Sequence, residues 1–163
     1  HITGYQQVPL LGLWIFSAFL NTIMQELLIR GYLYQLIKNQ YSTAAAAIAT
    51  TALFALLHGG ALEAGIIPTL NVITMSLLMG LILEYTQSLL APTVMHFLWN
   101  CIGGILLGGV SLAEDYPQLC QTEFTGPVLL SGGTPKMEGS IVVLLLNLLL
   151  IAGFAALLKK RKQ

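Results

Sequence analysis

The sequence predicts an all-α fold, a polytopic bundle of about five transmembrane helices. Three observations predict it. First, 56% of the residues are hydrophobic and only 9% charged, with a mean hydropathy of +0.79. An ordinary soluble domain carries about 25% charged residues, so the apolar surplus here has to face lipid. Second, the apolar residues fall in runs near the roughly 20 residues that a helix needs to cross a bilayer. Third, Glu26, Arg30, His58, His96 and Asn100 lie inside those runs. An ionisable group at bilayer depth costs several kcal/mol and persists when it is paired, hydrated or functional.

The first helix is expected from Val8 to Ile37, with Pro9 near its start. This is roughly 30 residues, longer than a simple span, so it should tilt or protrude. Ser17, Asn21 and Gln25 recur every four residues, a stripe expected to face protein. The second helix, Ser42 to His58, opens with the alanine run Ala44 to Ala47, whose small side chains allow close helix approach in lipid. Gly59 to Pro68, containing Glu63, reads as a loop or re-entrant turn.

The third helix is expected from Thr69 to Tyr85, with Asn71 and Thr74 on one face and Gly80 as a packing site. Thr86 to Ser88 makes a turn. The fourth helix runs from Leu90 to Val110, with Pro92 in its first turn and Thr93, His96, Asn100 and Gly103 on one face. The polar stretch Ser111 to Gly139 holds Glu114, Asp115, Glu123, Lys136 and Glu138, and suits a lid, a docking loop for a membrane-protein partner or a plain connector. The fifth helix, Ser140 to Leu158, is aliphatic except for Asn147 and should face lipid on most sides. The whole chain, 1–163, is read as a single membrane domain.

Lys159 to Lys162 put the C-terminal end in the cytoplasm by the positive-inside rule. Five crossings then place Lys38 on the same side and the acidic 111–139 stretch on the other. This map sets His58 near the outer end of its helix and His96 about two turns from the inner end, so tilts or a helix continuing past His58 are needed to join them. The chain starts at His1, not Met, so further upstream helices are expected and no signal peptide can be read. Zero formal net charge gives no reason to expect nucleic acid as a partner. Cys101 and Cys120 have no metal-knuckle or redox spacing and read as free thiols.

The polar residues form three pairs spaced four apart: Glu26 with Arg30, Phe54 with His58, and His96 with Asn100. Residues four apart share a helix face, so helices one, two and four can aim polar groups at one centre. A carboxylate and two imidazoles can activate water and move protons. Asn100 can donate to a developing oxyanion, and Arg30 can hold the Glu26 carboxylate. The same cluster equally suits a structural role fixing helix register, or a proton relay in a small transporter, although paired inverted repeats are not evident. Trp14, Tyr32, Tyr34 and Trp99 read as packing or interface aromatics.

Gln25-Glu26-Leu27-Leu28-Ile29-Arg30, Phe54-Ala55-Leu56-Leu57-His58 and His96-Phe97-Leu98-Trp99-Asn100 occur in that order. They resemble the EExxxR, FxxxH and HxxxN/D motifs of the CAAX-protease and bacteriocin-processing family of intramembrane proteases, the Abi family. The resemblance covers about Phe16 to Cys101. It implies an intramembrane endopeptidase acting on a peptide or the tail of a membrane-associated protein in the lipid bilayer. Its eukaryotic members trim prenylated tails, and its bacterial members are linked to bacteriocin immunity and peptide maturation. The Ala- and Leu-rich composition fits a bacterial plasma membrane.

By the same resemblance, His58 and the first glutamate of EExxxR would polarise water, and His96 with Asn100 would stabilise the oxyanion. Glu26 would match the second glutamate and Arg30 its anchor. No cofactor is favoured; a divalent metal such as zinc would be held by His58, His96 and Glu26. The sequence departs from the pattern at one position. Gln25 stands where the motif has its first glutamate, and an amide is not a general base. Three explanations stay open: an introduced Glu→Gln change that disarms the protease, a natural family member without catalysis that scaffolds or confers immunity, or Glu26 acting as base from about 100° around the helix.

Overall fold

The computed structural model describes residues 1–110 and 116–161. Glu114 and Asp115 of the polar stretch, with the last basic residue, Lys162, lie outside these. Among the described residues, three helices are long and apolar enough to cross a membrane: α1 (Leu11–Gln40), α4 (Ile66–Thr86) and α7 (Ile141–Arg161). Two shorter apolar helices, α2 (Thr43–Leu57) and α5 (Leu90–Leu106), complete the expected five. The short helices α3 (Gly59–Ala64) and α6 (Val128–Ser131) and a 3₁₀ turn (Met137–Gly139) lie in the connections.

Local chemistry explains most boundaries. The Ser42 hydroxyl accepts from the Ala45 N–H at 3.0 Å and caps α2. Within α2 and α4, Thr50 and Thr74 hydroxyls donate back to the carbonyls of Ala46 and Leu70, 2.7 Å each, so neither is left unpaired in lipid. Gly65 separates α3 from α4 at φ +125°, a region closed to most side chains. The expected loop Gly59–Pro68 is therefore largely helical, and α4 begins at Ile66 rather than Thr69. Pro68 sits in its first turn, where the missing N–H costs nothing.

Two helices are not α-helical throughout. α1 carries a π-helical segment at Leu27–Leu33, and α5 becomes π-helical over Trp99–Leu106. Such segments re-aim side chains and recur at functional sites. α5 ends at Leu106, short of the expected Val110, which instead bridges to Lys136.

α4 is the hub of the bundle, packed against α2, α5 and α7. Of its most apolar stretch 44% is buried, against 6% for α7, so α7 leaves most of its surface uncovered by the rest of the bundle. Its one buried polar residue, Asn147, donates to Thr74 Oγ1 at 3.2 Å. The expected stripe on α1 is corrected by one position. Ala18, Thr22, Glu26 and Arg30 form the buried face, while Ser17 is exposed.

One end of the bundle gathers its basic groups. Lys38 pairs with Glu84 at 2.6 Å, and the Arg161 guanidinium donates to the Tyr85 carbonyl. A cap covers the other end. Its two-stranded antiparallel ribbon, β1 (Ile2–Tyr5) with β2 (Cys120–Thr122), is a small addition to the all-α expectation. Lys136 Nζ donates to the Gly108 carbonyl, and the Met137 N–H to the Gly109 carbonyl at 3.1 Å. Asn71 Nδ2, near the start of α4, donates to the Glu138 and Ser140 carbonyls at 2.8 and 3.0 Å. The described part of the polar stretch is thus a docked cap.

Candidate active site

Glu26, on the last α-turn before the π segment of α1, is fully buried. Its Oε1 accepts from Arg30 Nη1 at 2.7 Å and from His96 Nδ1 at 2.8 Å. Arg30 is buried as well. Its Nη2 donates to Ser76 Oγ at 2.9 Å, and its guanidinium lies over the Phe54 ring, 4.7 Å from the centroid. A buried ion pair is tolerated when further hydrogen bonds satisfy both partners. Here one guanidinium ties α1, α2 and α4 together around one carboxylate.

His58 Nδ1 lies 2.8 Å from the Phe54 carbonyl, and its ring stacks on Phe54 with centroids 4.2 Å apart. A carbonyl only accepts, so Nδ1 carries the proton and Nε2 of the neutral ring keeps its lone pair. The Glu26 carboxylate fixes His96 in the same sense, with Nδ1 donating and Nε2 left over. The two imidazole centroids are 6.3 Å apart.

The depth conflict between the two histidines has a local solution. Leu89, just before α5, packs on the cluster of Tyr34, Ala46 and Leu83, so α5 starts about one turn beyond the start of α2. The remaining offset closes because the His58 ring folds back one turn onto Phe54. A separate short helix, α3, follows His58 at Gly59–Ala64, and it is the ring that makes the approach.

Both histidines face one cavity of about 220 Å³. Gln25 and Asn100 line it as well, so four of the six sequence-predicted site residues meet there. Gln25 donates through Nε2 to Asn21 Oδ1 at 3.3 Å, while its Oε1 is buried without a partner. A glutamate at this position would therefore present a carboxylate oxygen at the cavity. Glu26 and Arg30 do not line it. Glu26 lies behind His96, held by Arg30 and His96 through its Oε1.

Three further lining residues carry no site role in the sequence reading. Trp99, read as packing, borders the cavity and makes a long hydrogen bond to Glu138, Nε1 to Oε1 3.5 Å. Asn71 lines it while holding the cap. Glu138 itself reaches it from the 3₁₀ turn, 9% exposed. The available signal for Glu138 was a carboxylate just after a glycine-rich run and just before an apolar helix, in a chain with few charges.

No group of three His, Cys, Asp or Glu among the described residues is placed to hold a divalent metal. Glu26, the carboxylate named beside His58 and His96, already has Oε1 bound to Arg30 and His96, and Gln25 offers no anionic ligand.

A family model described as type II CAAX prenyl endopeptidase Rce1-like matches residues 7–102, more than half of the 163 residues. Neither the curated proteins nor the solved structures contain a significant match. The matched segment contains Gln25, Glu26, Arg30, His58, His96 and Asn100 and ends before the cap. With its apolar helices this chain is an integral membrane protein, and it belongs to the type II CAAX prenyl endopeptidase Rce1-like family.

Proposed function

We propose that the cavity is a peptidase site where water hydrolyses a peptide bond in a peptide or the tail of a membrane-associated protein. The observation that carries this reading is the convergence of His58 and His96 on one cavity, each with Nδ1 tied back and Nε2 remaining. His58 Nε2 accepts a hydrogen bond from the attacking water. The Asn100 amide, beside His96, faces the carbonyl oxygen as it becomes an oxyanion. These roles are filled by side chains, without a metal. Family membership supports the reaction class.

Gln25 supports a second reading. An amide takes no proton, so the chain is inactive as it stands unless another carboxylate reaches the same water. A disarmed site would still bind a peptide, as a scaffold or an immunity protein does. The proposal extends to a bacterial plasma membrane with a cytoplasmic C-terminal end. Support comes from the basic residues Lys38, Lys159 and Arg161 gathering at one end of the bundle, by the positive-inside rule.

The test is cleavage in proteoliposomes by the chain and by its Gln25→Glu variant, against a pool of prenylated and leader-type peptides read by mass spectrometry. Cleavage by either protein that His58→Ala abolishes supports the peptidase. Peptide binding with no cleavage by either moves the function to the scaffold.

A further inference from the structure

The cavity holds one carboxylate among its described lining residues, and it does not come from the family-matched segment. Glu138 enters from the cap, beyond residue 102, into the space lined by Gln25, His58, His96 and Asn100. Its place is firmly built. The backbones of Gly132 and Gly139 cross so closely that a Cβ on Gly132, at φ +84°, would fall 1.5 Å from the Lys136 carbonyl oxygen. A Cβ on Gly139 would fall 2.2 Å from the Gly132 carbonyl oxygen. Asn71 Nδ2 holds the Glu138 carbonyl at 2.8 Å. Trp99, one residue before Asn100, contacts Glu138 Oε1 through its indole N–H. This is a large structural commitment for bringing a charged group to the face of a cavity in a chain with 9% charged residues.

We propose that Glu138 is the general base of this chain, supplying from the cap the carboxylate that Gln25 lacks. The inference rests on the peptidase reading. Water held at His58 Nε2 gives a proton to the Glu138 carboxylate as its oxygen bonds to the peptide carbonyl carbon. The carbonyl electron pair moves onto oxygen, facing His96 and Asn100. Collapse of the tetrahedral intermediate breaks the C–N bond, and the Glu138 proton passes to the leaving nitrogen. The products are a carboxylic acid and an amine, and Glu138 returns to its ionised form.

Glu138→Gln keeps the size of the side chain and the acceptor for Trp99 while it removes the proton acceptor. The experiment measures kcat and KM for the full chain in proteoliposomes with the same peptide pool, for wild type, Gln25→Glu, Glu138→Gln, and Glu138→Gln combined with Gln25→Glu. The expected result is cleavage by wild type, a loss of about 10²–10⁴-fold in kcat on Glu138→Gln with KM little changed, and recovery in the double variant. A merely structural Glu138 would not be rescued from position 25. Equal cleavage by wild type and Glu138→Gln overturns the inference. So does an inactive wild type whose Gln25→Glu variant cleaves, an outcome that leaves the peptidase reading standing. No cleavage by any of these proteins removes both.

Discussion

His96 Nδ1 donates to Glu26 Oε1 across 2.8 Å and joins α5 to α1 over 70 residues of sequence. The same oxygen takes Arg30 Nη1 at 2.7 Å, whereas Glu26 Oε2 is buried without a partner. One carboxylate oxygen thus fixes a guanidinium and an imidazole, and through them the wall of the cavity.

Removing Arg30 leaves that carboxylate buried and uncompensated. Arg30→Ala should destabilise the protein by about 3–5 kcal/mol. Replacing both partners, Glu26→Gln with Arg30→Met, should cost clearly less than Arg30→Ala alone. Thermal unfolding in a mild detergent compares them, and equal losses would contradict the paired description.

Asn100 sits in the π segment of α5 and lines the cavity beside His96. If its amide donates to the oxyanion, Asn100→Ala should lower kcat about 10²–10³-fold in whichever form of the chain cleaves. KM should change little, because the bond strengthens only in the transition state. A rise in KM at constant kcat would make Asn100 a substrate-binding residue instead.

Much of this arrangement was legible in the residues. The five apolar helices follow from hydropathy, and the Glu26–Arg30 pair from four-residue spacing within one helix, which also predicted the turn-to-turn contact of Phe54 with His58. Other features were not. The π segments at Leu27–Leu33 and Trp99–Leu106 depend on a hydrogen-bond shift with no side-chain signature. The meeting of His58 with His96 depends on the level at which Leu89 packs, a tertiary fact. Glu138 reaches the site because Asn71, 67 residues earlier, holds its backbone, and no periodicity reports such a contact. A stripe read one position off, with exposed Ser17 in place of buried Ala18, shows the limit of polarity as a guide in a membrane helix whose Asn21 and Gln25 line a polar cavity.

The glycine crossing in the cap gives a structural prediction. Gly132→Ala should leave the helices formed and release the turn carrying Glu138, because the added methyl has no space. Hydrogen exchange should rise over 128–139, with α2 and α4 unchanged. Unchanged exchange in the cap would show that the turn is not held by this contact.

Asn147 is the one buried residue of α7, and its hydrogen bond to Thr74 is the kind that contributes about 0.6 kcal/mol on average within membranes. Asn147→Leu should therefore shift stability by less than about 2 kcal/mol. Thr74 keeps its bond to the Leu70 carbonyl and is not orphaned. A larger loss on chemical unfolding in bicelles would assign Asn147 a role in the assembled site.

The most direct measurement is peptide cleavage by the chain and by Gln25→Glu, each with and without His58→Ala, in the same proteoliposomes. The account predicts cleavage by at least one of the two parent proteins and none by its His58→Ala partner. No cleavage by either parent, or cleavage that survives His58→Ala, would contradict a peptidase centred on this cavity.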